Sequence, residues 1–182
     1  SRRQRQMCIR DREIDEPGLK EVLDKALKEG RIEVSSKIHE ADMYIICVGT
    51  PFNDDKSCDL KYIKDACHDI LKVIKKGDTV VLESTSPPRT TEDVVKPILE
   101  KSGLKVSEDI YLAHSPERVI PGNILYELKN NHRVVGGVDT KSAEIVRDVY
   151  KTFVDAEVFT TDATTAEVCK LLENTFRDVN IA

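Results

Sequence analysis

Three short apolar runs, each closed by a cluster of turn residues, set the limits on this fold. Met43–Val48 (MYIICV) ends in Gly49-Thr50-Pro51. Thr79–Leu82 leads into Ser84-Thr85-Ser86-Pro87-Pro88, and Ile110–Ala113 into Ser115-Pro116-Glu117-Arg118. The run Met43–Val48 is continuously apolar, as suits a strand buried on both faces. Between the runs lie stretches of helical period. Leu60–Ile74 puts Ile63, Ala66, Cys67, Ile70, Leu71 and Ile74 on one face, a second helix runs from about Arg89 to Lys101, and Asp139–Val154 is a third, capped by Asp139 or Thr140. Upstream, Pro17–Glu29 carries the stripe Leu19, Val22, Leu23, Ala26 and Leu27, with Gly30 as its stop. Arg31–Ser35 reads as a short strand and Ser36–Ala41 as a short connecting helix. His132–Val135 and Glu157–Thr160 read as further strands. Strands alternating with helices predict an α/β fold with a parallel sheet and right-handed crossovers.

In open α/β sheets, ligands bind beyond the carboxyl ends of the strands. Gly, Ser, Thr and Pro are turn residues for steric reasons alone. Three such clusters aligned at one edge make that edge a candidate nucleotide site. The closing stretch, Thr165–Ala182, reads as an amphipathic helix. At about 100° per residue, Lys170, Asn174 and Arg177 share one stripe, opposite Val168, Leu171, Leu172, Thr175 and Val179. A polar stripe is usually a solvated face. A Lys, an amide and an Arg in register can also hold an oxyanionic or polyanionic substrate.

The 182 residues suffice for one domain with a core, at 40% hydrophobic and 34% charged composition. The first dozen residues, SRRQRQMCIRDR, resemble a translated transposon-end adapter from sequencing-library preparation, so residues 1–12 are expected to be non-native. Their alternative reading is a basic arm for nucleic acid. Without them the chain holds 23 basic and 32 acidic side chains, an acidic body that gives nucleic-acid binding no support. No apolar run is long enough to span a bilayer and no signal-peptide core is visible, which predicts a cytoplasmic protein without a membrane partner. Cys47, Cys58, Cys67 and Cys169 form no CxxC pair, and the four His are scattered. Buried reduced thiols and no metal site are expected.

The segments EADMYIICVGTPF, VLESTSPPRTTE, HSPERVIPG, NNHRVVGG and TAEVCKLLENTFRDVNIA together resemble the UDP-glucose/GDP-mannose dehydrogenase family of nucleotide-sugar 6-dehydrogenases. The resemblance extends over nearly all of 13–182. Relatives acting on UDP-glucose carry an aromatic after Pro-Glu, where this chain has Pro116-Glu117-Arg118. The likeness is to the branch acting on UDP-N-acetylmannosamine. It implies oxidation of a sugar C6 hydroxyl to a carboxylate with two NAD. By residue, it implies that Thr50 and Thr85 contact NAD, and that Arg118, Val119, Asn174 and Arg177 contact the UDP-sugar. Lys170 is implied as the catalytic proton donor and acceptor, with Asn174 beside it. Glu117 is implied as a carboxylate that assists a thioester step. It further implies a partial Rossmann-like sheet. The first βαβ unit with its GxGxxG turn would precede residue 13, and 13–162 would be the remainder of the NAD-binding domain. Residues 163–182 would begin a central dimerisation helix, giving a homodimer or higher homo-oligomer at full length. The nucleophilic Cys and the UDP-binding domain would follow residue 182, so the chain alone is expected to be inactive. Cys169 lies outside the family's Cys motif. The alternatives are a dehydrogenase of another UDP-hexose, such as UDP-GlcNAc or UDP-glucose, and a non-catalytic stand-alone α/β binding domain.

Overall fold

The computed structural model describes residues 16–119 and 122–181. The adapter-like segment 1–12, and the Ile-Pro pair of the PERVIPG stretch, lie outside the described residues. Helix α1 (Leu19–Lys28) is followed by β1 (Met43–Ile46), α2 (Lys61–Ile70) and β2 (Thr79–Leu82). A composite helix comes next: a π-helical turn over Thr91–Val95, α3 over Lys96–Leu99 and a 3₁₀ turn over Glu100–Ser102. Pro97 has no N–H to give, so regular i→i−4 bonding is interrupted there, and the π turn closes with Lys96 N–H donating to the Thr91 carbonyl. Then come β3 (Tyr111–His114), α4 (Ile124–Asn130), β4 (Arg133–Gly137), α5 (Thr140–Tyr150), β5 (Val158–Asp162) and α6 (Ala163–Ile181).

The strands form one sheet in the order β1-β2-β3-β4-β5. The pairs β1–β2, β2–β3 and β4–β5 are parallel, but β3–β4 is antiparallel, with Ala113 opposite Gly137 and His114 opposite Gly136. The uniformly parallel sheet expected from the alternating pattern is corrected here. The β3-to-β4 connection does not cross the sheet. It stays at the carboxyl edge, where seven-residue α4 is too short to return the chain to the other end. Buried Glu16 holds that helix in place: its carboxylate accepts from Gly122 N–H at 2.8 Å and Ile124 N–H at 2.5 Å. It thereby supplies acceptors to otherwise orphaned N-terminal donors.

One face of the sheet, with Tyr44, Ile46, Val80, Leu82 and Leu112, packs on Ile63, Cys67 and Ile70 of α2 and on Val95, Ile98 and Leu99 of the composite helix. The other, with Val81, Ala113 and Val135, packs on Val146 and Tyr150 of α5. The expectation that Met43–Val48 is buried on both faces is corrected, since Ile45 is 48% exposed. Cys47 is likewise exposed rather than buried, and Cys58 and Cys169 are half-buried. All four described thiols are free. Arg31–Ser35 forms no strand, because it meets no ladder partner among the described residues. Ser36–Ala41 forms no helix. There the Ser35 hydroxyl accepts from Lys37 N–H at 3.0 Å and meets His39 Nε2 at 3.0 Å, a local bond that competes with helical turns. The α1 stripe is not core: no α1 residue is buried. At the other end, Asp139 caps α5 by accepting from Ser142 N–H at 2.9 Å.

Helix α6 lies directly on β4. A Cβ on Gly136 would stand 2.3 Å from the Asp162 carbonyl oxygen and 2.6 Å from Ala166 Cβ. Only glycine permits this approach, and further along α6 reaches the loop after β3 through Lys170.

Candidate active site at the carboxyl edge of the sheet

Because β1, β2 and β3 run parallel, the loops that follow them share one edge. Ser84 ties the first two loops together. Its hydroxyl accepts from Val48 N–H at 2.7 Å and lies 2.8 Å from the Val48 carbonyl, to which it donates. Thr50 and Thr85, both partly exposed, are thereby placed on adjacent loops. Gly49 has open space where a Cβ would stand. The buried hydroxyls of Ser86 and Ser115 have no hydrogen-bond partner among the described residues. Buried hydroxyls are normally bonded, so these loops carry a glycine gap and unpaired hydroxyls.

The third loop meets α6. Lys170 Nζ donates to the Glu117 carbonyl oxygen at 2.5 Å. Burial lowers the Lys170 pKa. Glu173 opposes that shift, and Arg177 adds to it. Asn174 is half-buried one turn along the same stripe, and Arg177 is exposed. Among the described residues, neither the Asn174 amide nor the Arg177 guanidinium has a hydrogen-bond partner, so both keep donors for a ligand. Arg118 is more committed. Its guanidinium pairs with Glu173 and donates to the His132 carbonyl at 3.2 Å, leaving part of its fork open. Val119 is half-buried beside it. The structure therefore brings Lys170, Glu117 and Arg118 together, with Asn174 and Arg177 on the same helix. Thr50 and Thr85 stand on the neighbouring loops.

Several residues that the sequence reading passed over complete the site. Arg133, its side chain 5% exposed, bridges two carboxylates: Nη2 donates to Glu117 Oε2 at 3.3 Å, and Nη1 lies 3.6 Å from Glu83 Oε1. Its guanidinium stacks on Tyr150, 4.7 Å from the ring centroid. Glu83 also accepts from the Tyr150 hydroxyl and from Cys47 Sγ, the latter at 3.1 Å. Although the residue as a whole is exposed, partial desolvation of its sulfur against Glu83, reinforced by the Glu83 charge and hydrogen bond, pushes the Cys47 thiol up to about 12, so it stays protonated. The Glu117 carboxylate is pinned on both oxygens, since Oε1 accepts from Arg118 N–H at 2.6 Å. Charged residues at either end of apolar strands, Glu83 after TVVL and Arg133 before VV, were the one signal in the sequence.

The family described as the UDP-glucose/GDP-mannose dehydrogenase family, NAD binding domain, matches residues 3–154. The UDP-N-acetyl-D-mannosamine dehydrogenase of Methanococcus aeolicus is 46% identical over 172 residues, covering 93% of this chain and 38% of the relative. The NDP-N-acetyl-D-galactosaminuronic acid dehydrogenase of Ralstonia nicotianae is 44% identical, with 93% and 42% covered. The solved structure of the UDP-N-acetyl-mannosamine dehydrogenase of Staphylococcus aureus is 50% identical and superposes with a TM-score of 0.87, covering 93% of this chain and 42% of that one. The chain thus spans about two fifths of the length of these relatives. Among the described residues no helix is long and apolar enough to cross a membrane. A matched NAD-binding domain, a mostly parallel sheet and nucleotide-compatible loops at its carboxyl edge agree: this chain belongs to the UDP-glucose/GDP-mannose dehydrogenase family and carries its NAD-binding fold.

Proposed function

We propose that the complete protein is an NAD-dependent UDP-sugar 6-dehydrogenase that oxidises UDP-N-acetylmannosamine to UDP-N-acetylmannosaminuronate. Taking a primary alcohol to a carboxylate removes four electrons and consumes one water, so two NAD are reduced per sugar. When bound, NAD supplies the hydride acceptor. The observation that carries the reading is Lys170 Nζ, half-buried with a lowered pKa, held at the strand-end edge by the Glu117 carbonyl.

Thr50 and Thr85 would hold the dinucleotide on the loops after β1 and β2. Lys170 receives the proton of the C6 hydroxyl and then steadies the oxyanion of later steps. A lowered pKa enlarges its neutral fraction near neutral pH and makes it a better base. Asn174, one turn along, donates to the same oxygen. Arg118, Val119 and Arg177 contact the nucleotide sugar. Glu117 orients water for the thioester step, and Arg133 fixes its carboxylate. That step needs a nucleophilic Cys outside 1–182, so the 182-residue chain alone does not turn over. In this reading α6 opens the dimerisation helix, its exposed Leu172, Phe176 and Val179 facing a second copy.

Similar identity to a relative named NDP-N-acetyl-D-galactosaminuronic acid dehydrogenase favours one second reading, in which another UDP-N-acetylhexosamine is the substrate. Incubating the complete gene product with NAD and a panel of UDP-sugars, and following NADH, tests both. Two NADH per UDP-N-acetylmannosamine support the first. Turnover only with another sugar supports the second. NADH from none contradicts both.

A further inference from the structure

We infer that Glu167 is the positioning residue that locks the Lys170 helix onto the loop after β2, joining the two halves of the site. This rests on the function proposed above. Glu167 lies one turn before Lys170 on α6 and is 0% exposed. Its carboxylate takes three donors from a segment more than seventy residues away. Arg89 N–H donates to Oε2 at 2.5 Å, while Thr91 N–H and Thr91 Oγ1 donate to Oε1 at 2.8 and 2.6 Å. Arg89 and Thr91 open the composite helix, where N–H groups lack intrahelical partners. Glu167 is therefore an N-cap supplied from another helix, with its negative charge set at a helix's positive end.

The cap joins what the chemistry must keep in register. The segment it grips follows directly on Ser84–Pro88, which carries Thr85. The helix it stands on carries Lys170. Arg89 sits at φ 71°, a left-handed conformation that a non-glycine residue keeps only where its surroundings fix it. The bond from its N–H to Glu167 is part of that fixing, and the Arg89 guanidinium is tied to Asp93 at 2.8 Å through two nitrogens. Among the described residues no other α6 side chain makes as many hydrogen bonds to the rest of the sheet domain, and Lys170 makes one, to the Glu117 carbonyl. Two anchors along one helix fix both its position and its rotation. Burial raises the Glu167 pKa, and its three donors oppose that shift.

Glu167→Gln in the complete gene product is the test. A Gln that keeps its oxygen toward Thr91 must turn its NH2 toward Arg89 N–H, donor against donor. The expected result is a folded protein with kcat reduced at least tenfold. The Lys170 side-chain titration, followed by NMR, should also move toward that of an ordinary lysine. A purely structural cap would lower the melting temperature and leave that titration in place, which would overturn the inference, as would unchanged kcat. If Glu167→Gln does not fold, Thr91→Val removes a single donor. A several-fold loss of kcat with a shifted Lys170 titration is then expected, and wild-type values for both would overturn it. If the wild-type protein forms no NADH from any UDP-sugar, the functional reading falls, while the titration still reports on the clamp.

Discussion

Lys170 Nζ reaches the backbone carbonyl of Glu117, at 2.5 Å, rather than its carboxylate. The carboxylate is turned away and held by Arg118 N–H and by Arg133. The lysine is therefore anchored without a close neutralising partner. Its burial and the positive charge of Arg177 then depress its pKa, against the opposing pull of Glu173 and Glu117. Ion pairing would have raised the pKa and kept the amine charged.

Arg133 holds that arrangement together. It is buried between Glu83 and Glu117 and stacked on Tyr150. Arg133→Met should leave two carboxylates facing each other with no cation between them. Removing one partner of a buried pair costs about 3–5 kcal/mol, and the partly exposed Glu117 places the expected loss near the lower end. Urea unfolding of the two proteins measures it. Arg133→Lys should also lose stability, because an ammonium cannot span both acids and stack on the ring. Wild-type stability for Arg133→Met would contradict this role.

His114 gives a pH-dependent prediction. It is fully buried, neither ring nitrogen has a partner among the described residues, and burial lowers its pKa to about 4. The native state then binds fewer protons than the unfolded state between about pH 6.5 and 4. Stability is fully present above the unfolded pKa and is lost as pH falls through that window. The loss attributable to His114 between pH 7 and pH 5 is about 2 kcal/mol, at 1.36 kcal/mol per pH unit. His114→Leu should flatten the acid limb of a stability–pH curve by about that much. An unchanged limb would show that His114 does not titrate in this way.

Gly136 sets the seat of α6. Gly136→Ala would put a methyl 2.3 Å from the Asp162 carbonyl and 2.6 Å from Ala166 Cβ. The strain falls on backbone, so the helix has to move. Overpacking of this kind costs about 1–3 kcal/mol or more. A lowered melting temperature is expected, together with a loss of kcat in the complete protein larger than the unfolded fraction explains. A variant with wild-type kcat would mean that the seat does not set the position of Lys170.

The strand ends were legible because apolar runs such as Met43–Val48 stop at Gly, Ser and Pro clusters for steric reasons. The α6 stripe was legible because Lys170, Asn174 and Arg177 recur at the helical period. The direction of β4 was not: βα alternation looks the same whether or not the connecting helix crosses the sheet. Helix α4 is too short to show a period, and its cap, Glu16, lies 106 residues from Gly122. Arg31–Ser35 has strand composition, but a strand exists only with a partner to bond. Glu167 is one acid among many on charged helices. Its burial depends on donors at Arg89 and Thr91, which no local pattern reveals.

The most direct measurement is steady-state kinetics of Lys170→Ala in the complete gene product, with UDP-N-acetylmannosamine and NAD, beside NAD binding by calorimetry. Removing a general acid–base typically costs about 10²- to 10⁴-fold. A kcat loss in that range with NAD affinity unchanged is expected, since Lys170 stands on α6 and the proposed NAD contacts on the loops after β1 and β2. A Lys170→Ala enzyme with near-normal kcat would contradict it.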